Sequence, residues 1–318
     1  MSPPLRRALR TLVTLVVLAT VGALFGRTLA QNWDQVREEN LAFDARMVWC
    51  VLLFAAAVPI SGVLWKRILD VLDTGGRQVA VIDAVNVQCA SWLLKYVPGQ
   101  VGSVLNKVLW GQRRGISRTL VLITFVYENI FLQLASIVPA VAVLMISTGF
   151  GVFSTNMSLV LLPLLVLVPM LLLMSRRTFH AIVSAAGRRV LKSEIPETYF
   201  LHPRDALRLQ AEFLIPRLLN GVGFVLATTA VVDVGSGAWL PLASAYVLAG
   251  AIGILAVFVP SGLGVRESII VIFASSYMSV SEAIVVALLA RLLSVISDAV
   301  IAAIYGVTAA RRRAEVHP

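Results

Sequence analysis

Residues 119–147 read TLVLITFVYENIFLQLASIVPAVAVLMIS, a run whose only formally charged side chain is Glu128. A helix needs about 20 mainly apolar residues to cross the hydrocarbon core of a bilayer. This run is long enough, and it lacks the strict alternation of a half-buried strand. The whole chain shares its character. Of 318 residues, 58% are hydrophobic and only 14% charged, with a mean hydropathy of +0.87, whereas an average soluble domain carries about 25% charged residues. Such a composition excludes an ordinary cytosolic enzyme, a disordered chain and a nucleic-acid-binding domain. The formal charge is nevertheless +10, from 27 Lys+Arg against 17 Asp+Glu. An apolar chain that is also basic reads as a multi-span membrane protein with its charge collected in loops.

Working outward from 119–147, further spans are predicted at 11–30, 47–65, 158–174, 213–234, 239–259 and 281–309. Two more apolar stretches are short and interrupted: 80–112, broken at Pro98-Gly99, and 260–279, opened by Pro260-Ser261-Gly262-Leu263-Gly264. The expected fold is all-α, a polytopic helix bundle with about 8 membrane helices including a broken, re-entrant pair, because lipid tolerates only helices or closed barrels. One membrane domain, 1–318, is expected, with an N-terminal half (1–175), an amphipathic segment (176–212), a C-terminal half (213–310) and a short basic tail (311–318). Cys50, Cys89 and three histidines predict neither a disulfide framework nor a metal cluster.

Arg6, Arg7 and Arg10, then Lys66, Arg67 and Arg77, then Lys107, Arg113, Arg114 and Arg118 fall on one side of the spans. Arg176, Arg177, Arg188, Arg189, Lys192, Arg204, Arg208 and Arg217 fill the central segment, and Arg311, Arg312 and Arg313 fill the tail. Together they are 21 of the 27 basic residues, so this face is expected to be cytoplasmic, with both termini on it, in the cell (plasma or inner) membrane. The acidic loop 31–46 is then external. The first apolar run also fits a cleaved signal peptide ending near Ala30, although it is long enough to remain as an anchor. The central segment, with Phe179, Ile182, Val183, Val190 and Leu191 among its arginines, reads either as helices on an anionic leaflet or as a plain topology-setting loop.

An ionisable group at membrane depth costs several kcal/mol, so each one marks a partner, a cavity or a pathway. Asp83, Asn86, Gln88 and Lys95 lie in the first broken stretch, Glu128, Asn129 and Gln133 in the long span, and Arg266 and Glu267 after the second break. Arg291 and Asp298 stand two turns apart on one face of the last span, as an internal ion pair or as part of a ligand site. Asp233 reads as a solvated helix end. Glu128 has no cation near it on its own helix, which points to function.

Pro98-Gly99-Gln100-Val101-Gly102 and Pro260-Ser261-Gly262-Leu263-Gly264 each stop one helix and start another at depth. A helix that starts there offers a positive end to an anion such as phosphate, and Lys95, Lys107 and Arg266 lie close by. Paired broken helices in two halves mark a transporter site, although small-residue packing contacts produce the same pattern. Pro260-Ser261-Gly262 also matches the start of a phosphatase signature that continues with His. Leu263 stands at that place, and His180, His202 and His317 fall in cytoplasmic segments. There is no Walker A loop, HExxH or acidic metal pair, so no cofactor, no metal and no enzymatic activity are expected.

On Lys95-Tyr96-Val97-Pro98-Gly99-Gln100-Val101-Gly102, Gly115-Ile116-Ser117, Glu128, the stretch from Val259 to Glu267, and Arg291 with Asp298, the chain resembles the transmembrane region of lysylphosphatidylglycerol synthases and related stand-alone flippase-like proteins. The resemblance runs over most of the chain and implies an all-helical membrane fold that moves phospholipids or lipid-linked intermediates. Family members usually carry an acid directly after the first motif and an arginine three residues on, where Ser103 and Asn106 stand here. Glu128 is followed by Asn129 where arginine is frequent, and Ser261 replaces a commoner glycine. No counterpart of the aminoacyl-transferring domain is expected, so the resemblance does not imply synthase activity.

The expected function is binding and translocation of an anionic phospholipid or polyprenyl-phosphate lipid. The site residues are Lys95, Pro98, Gly99, Gly102, Lys107, Glu128, Pro260, Gly262, Gly264, Arg266, Glu267, Arg291 and Asp298. Lys95, Lys107 and Arg266 are expected to supply counter-charge, and Glu128, Arg291 and Asp298 to shape a polar path or couple protons. The partners are membrane lipids and no nucleic acid. The alternative is a non-transporting scaffold or regulator of a lipid-modifying or glycan-assembly enzyme, held to the leaflet by its basic face. A lipid-modifying enzyme is the weakest reading, for want of a nucleophile.

Overall fold

A computed structural model describes residues 44–73, 75–76, 78–96, 101–149, 167–168, 170–172, 175–190, 195–255, 262 and 264–316. The expected span 11–30, the external loop up to 43, most of 158–174, and Pro98, Gly99 and Pro260 lie outside the described residues.

The described chain is helical throughout. The main elements are α1 (Ala45–Leu72), α2 (Val81–Leu93) with a 3-10 turn at Leu94–Tyr96, α3 (Val101–Arg113) and α4 (Arg118–Thr148). They are followed by α5 (Arg176–Val190), α6 (Pro203–Glu212), α7 (Leu214–Thr229), α8 (Trp239–Leu255), α9 (Val265–Ala274) and α10 (Val280–Val316). Local chemistry sets several starts. Asp44 caps α1 by accepting from the Arg46 N–H at 2.7 Å, and Pro203 sits in the first turn of α6, where no backbone donor is needed. Before α10, the Ser279 N–H donates to Glu282 Oε2 at 2.7 Å and the Glu282 N–H to Ser279 Oγ at 3.2 Å, a reciprocal cap.

Among the described residues, five stretches are long and apolar enough to span a bilayer: Ala45–Leu72, Arg118–Ser147, Glu197–Thr229, Ser236–Leu255 and Val280–Arg311. They expose large apolar side chains, among them Trp49, Ile146, Leu218, Leu240 and Val307, a surface that lipid solvates better than water. The chain is therefore a multi-pass helical membrane protein. Asp233 is exposed just after α7, as its reading as a helix end requires.

α1 and α7 run antiparallel in close contact. Arg46 donates to the Thr229 carbonyl at one end, Gly223 lies against Phe54 and Cys50 in the middle, and Arg67 pairs with Glu212 at 2.7 Å at the other. α8 packs on α4 and α7, and α10 on α1, α2 and α9. At the Arg67 end, Tyr127, Phe131, Phe179, Phe200 and Phe213 form an aromatic core. The Leu201 N–H donates to the Tyr127 hydroxyl there at 3.1 Å. Phe179 is thus fully buried on the bundle, 4.5 Å from the Tyr127 ring, and is not a lipid-facing residue. Of the large apolar residues described in that helix, Ile182 stays well exposed.

α2 and α3 form an antiparallel hairpin. Asp83 at its start pairs with Arg114 just past its end at 2.6 Å, and Asn106 of α3 donates to Ser91 Oγ (2.9 Å) and the Val87 carbonyl (3.3 Å). Each arm has 13 residues, or about 20 Å at 1.5 Å per residue, against a hydrocarbon core of about 30 Å. The Asp83–Arg114 pair brings the two open ends of the hairpin together. α8 and α9 make the second hairpin, with Gly253 packed directly on Gly262 near its tip.

Candidate functional site

Among the described residues, the ionisable groups at depth fall into two clusters. The first is sealed. Lys107 Nζ of α3 donates to Glu128 Oε2 of α4, and Gln88 Nε2 of α2 donates to Glu128 Oε1 at 2.9 Å. Lys107 is 1% exposed and Glu128 3%, so neither charge reaches solvent. The ammonium also lies 4.5 Å from the Trp65 ring, a cation–π contact strengthened by desolvation. Trp65 is fixed in turn by its indole N–H on Thr124 Oγ1 at 3.1 Å. Gly62 makes room for Gln88, since an added Cβ would lie 2.8 Å from the Gln88 Cβ. The cation that Glu128 lacks on its own helix thus arrives from α3. The expected role of Lys107 as a head-group ligand does not fit this enclosure.

The second cluster lies where the two hairpin tips approach α10. Lys95, at the tip of α2, donates to Asp298 at 2.7 Å, and the Trp92 indole N–H donates to the same oxygen at 2.9 Å. Lys95 also sits 4.4 Å from the Trp92 ring. Two turns away on α10, Arg291 Nε faces Glu267 of α9 at 4.0 Å. α10 therefore offers one ionic contact to each hairpin, about 10 Å apart along its axis. A small cavity opens here, lined by Tyr246, Arg266, Glu267, Ile270, Arg291 and Ser294.

The start of α9 explains how Arg266 is aimed. Gly262 and Gly264 hold φ of +64° and +84°, values that L side chains rarely adopt. Glu267 turns back to accept the Gly264 N–H at 2.7 Å, so the helix start draws on its own carboxylate. Arg266 then lies along Gly253, where an added Cβ would meet its Cγ at 2.5 Å. Its guanidinium sits 5.4 Å from the Tyr246 ring. Tyr246 is clamped between Phe54 (5.1 Å, 7° between planes) and Phe224 (4.8 Å, 14°). Tyr246 and Gly253 carried no sequence signal beyond an aromatic and a small residue in an apolar span.

Gly102 lies in the first turn of α3, half-buried. Ser103 and Asn106, which replace the family's charged pair, serve the hairpin: Asn106 bonds across to Ser91, and Ser91 Oγ reaches the Ser103 carbonyl at 3.5 Å. Arg217, counted among the central-segment cations, belongs to α7, and its Nε donates to the Leu132 carbonyl of α4 at 3.3 Å. A pattern common to the two breaks is also visible in the chain: Val97-Pro98-x-x-Val101-Gly102 and Val259-Pro260-x-x-Leu263-Gly264. In each half, the short helix after the motif sends one charge to the long helix that follows, Lys107 to Glu128 and Glu267 to Arg291, with the signs exchanged.

The fold and these clusters define a multi-pass helical membrane protein with ionisable groups gathered between two broken hairpins. The chain belongs to the family of lysylphosphatidylglycerol synthase transmembrane regions, whose model matches residues 8–302. Comparison with curated proteins returned no match.

Proposed function

We propose that this protein binds the anionic head group of a lipid between the two hairpin tips and moves that lipid across the membrane, as expected of a flippase-like member of its family. The observation that carries this reading is one small cavity lined by Arg266 of α9 and Arg291 of α10, with Lys95 held nearby on Asp298, two turns along α10 from Arg291. Cations at membrane depth are costly unless they serve an anion or a pathway, and guanidinium groups suit phosphate oxygens. The acyl or prenyl chain can stay in lipid, so an enclosed apolar pocket is not needed. Lys107–Glu128 holds the first hairpin to α4 and leaves head-group contact to the second cluster.

Transport in reconstituted liposomes tests the assignment. Arg266→Ala is expected to reduce head-group movement at least about tenfold, the equivalent of one lost charge-assisted contact. Gly253→Ala is expected to do the same while leaving Arg266 in place, because the new methyl occupies the path of its side chain. Undiminished movement in both variants refutes the site.

The charge map supports an arrangement with both termini in the cytoplasm, in which the first hairpin enters and leaves from the inner face. The Asp83–Arg114 pair supports this by bringing the two ends of the hairpin together. Tags at either terminus are expected to be reached only after permeabilisation, and labelling of intact cells at either end would overturn that topology. The scaffold reading predicts instead that lesions concentrate in α5 and α6.

A further inference from the structure

Charge balance around the cavity sharpens the head-group reading, on which this inference rests. Lys95 is matched by Asp298 and Arg291 by Glu267. Arg217 and Arg266 have no carboxylate partner among the described residues. Arg217 donates to a backbone carbonyl and Arg266 lies over an aromatic ring.

The two unmatched guanidinium groups belong to one neighbourhood. Arg217 reaches Leu132 of α4, and the next residue, Gln133, reaches the Ala251 carbonyl of α8 at 3.5 Å. Arg266 lies along Gly250 and Gly253 on that same stretch of α8. Phe224, two turns after Arg217 on α7, stacks on the Tyr246 ring that carries Arg266. Both arginines are half-buried, and Gln133, nearly fully buried between them, has no hydrogen-bond partner for its Oε1.

We infer that the site takes a phosphomonoester head group carrying two negative charges, such as that of a prenyl phosphate, in preference to a singly charged phosphodiester, with Arg217 and Arg266 as the groups that set this preference. Arg266, Arg291 and Glu267 line the cavity, and Lys95 with Asp298 and Arg217 stand in the same part of the bundle; four cations are thus set against two carboxylates, so a dianion completes neutrality where a monoanion leaves one guanidinium unmatched at low dielectric. A monoester also offers three terminal oxygens to two arginine forks, whereas a diester has two.

The test uses the full chain in nanodiscs at about pH 8, well above the second ionisation of a phosphomonoester near 6. Farnesyl phosphate, phosphatidylglycerol and inorganic phosphate are titrated separately, with bound ligand counted by native mass spectrometry. Farnesyl phosphate is expected to bind about tenfold more tightly than phosphatidylglycerol, a difference of about 1.4 kcal/mol. Arg217→Gln and Arg266→Gln are each expected to bring the two lipids to parity, and Arg217→Lys and Arg266→Lys to restore most of the preference. If Arg217→Gln does not fold, Arg266→Gln alone decides, because its side chain is half-exposed and lies over a ring. Phosphatidylglycerol binding as tightly as farnesyl phosphate overturns the inference and leaves the lipid reading standing. Inorganic phosphate binding as tightly as farnesyl phosphate overturns the lipid as the source of the monoester. Absence of binding by every probe overturns both readings.

Discussion

Lys107→Ala is expected to lower the stability of the protein by about 3–5 kcal/mol, the cost of leaving one partner of a buried ion pair uncompensated. Glu128 would keep only the Gln88 amide, in a place where 3% of its surface is exposed and water cannot replace the lost ammonium. The Trp65 ring would lose its cation as well. The double variant Lys107→Met, Glu128→Gln is expected to recover most of the loss. Its carboxamide oxygen can still accept from Gln88, and no net charge remains in the apolar interior. Thermal unfolding of the purified protein in detergent measures both. A single variant as stable as the parent would show that the pair is not enclosed.

Gly262→Ala is expected to cost about 3 kcal/mol, from two additive causes. An alanine at φ +64° is held in the left-handed region, worth roughly 1–2 kcal/mol. Its Cβ would also lie 2.7 Å from Gly253 Cα and 2.8 Å from the Gly253 carbonyl oxygen. These are backbone atoms that cannot swing aside, so overpacking adds about 1–3 kcal/mol. Gly264→Ala separates the causes: φ there is +84°, but nothing lies within 4 Å of the added atom. It is expected to lose only the conformational part. Equal losses in the two variants would mean that the tip yields freely and that the Gly253–Gly262 contact does not fix Arg266.

Much of the architecture is legible in the sequence because bilayer thickness converts apolar run length directly into helices. The runs 47–65, 119–147 and 281–309 fall within helices of the bundle, the described part of 239–259 is the helix Trp239–Leu255, and helices start at Val101 and Val265, just after the prolines of the two breaks. The polar residues that matter were also visible, since almost any charge in such a run is exceptional. Their partners were not. Glu128 finds its cation 21 residues earlier on another helix, and Asp298 finds Lys95 at a separation of 203. Periodicity reports only the face of a single helix. Lys107 and Arg217 group by position with the cations that set topology, because each stands near the end of an apolar stretch that borders a basic segment. The structure places Lys107 in the interior and Arg217 against the carbonyl of Leu132.

The sequence by itself determined the class of protein, the helical solution and the short list of groups at depth, because hydrophobic thickness and charge cost act on every residue alone. Tertiary structure decided which of those groups meet. Ion pairing, ring stacking and the Gly253–Gly262 approach depend on distances between helices far apart in the chain, and only packing sets those distances.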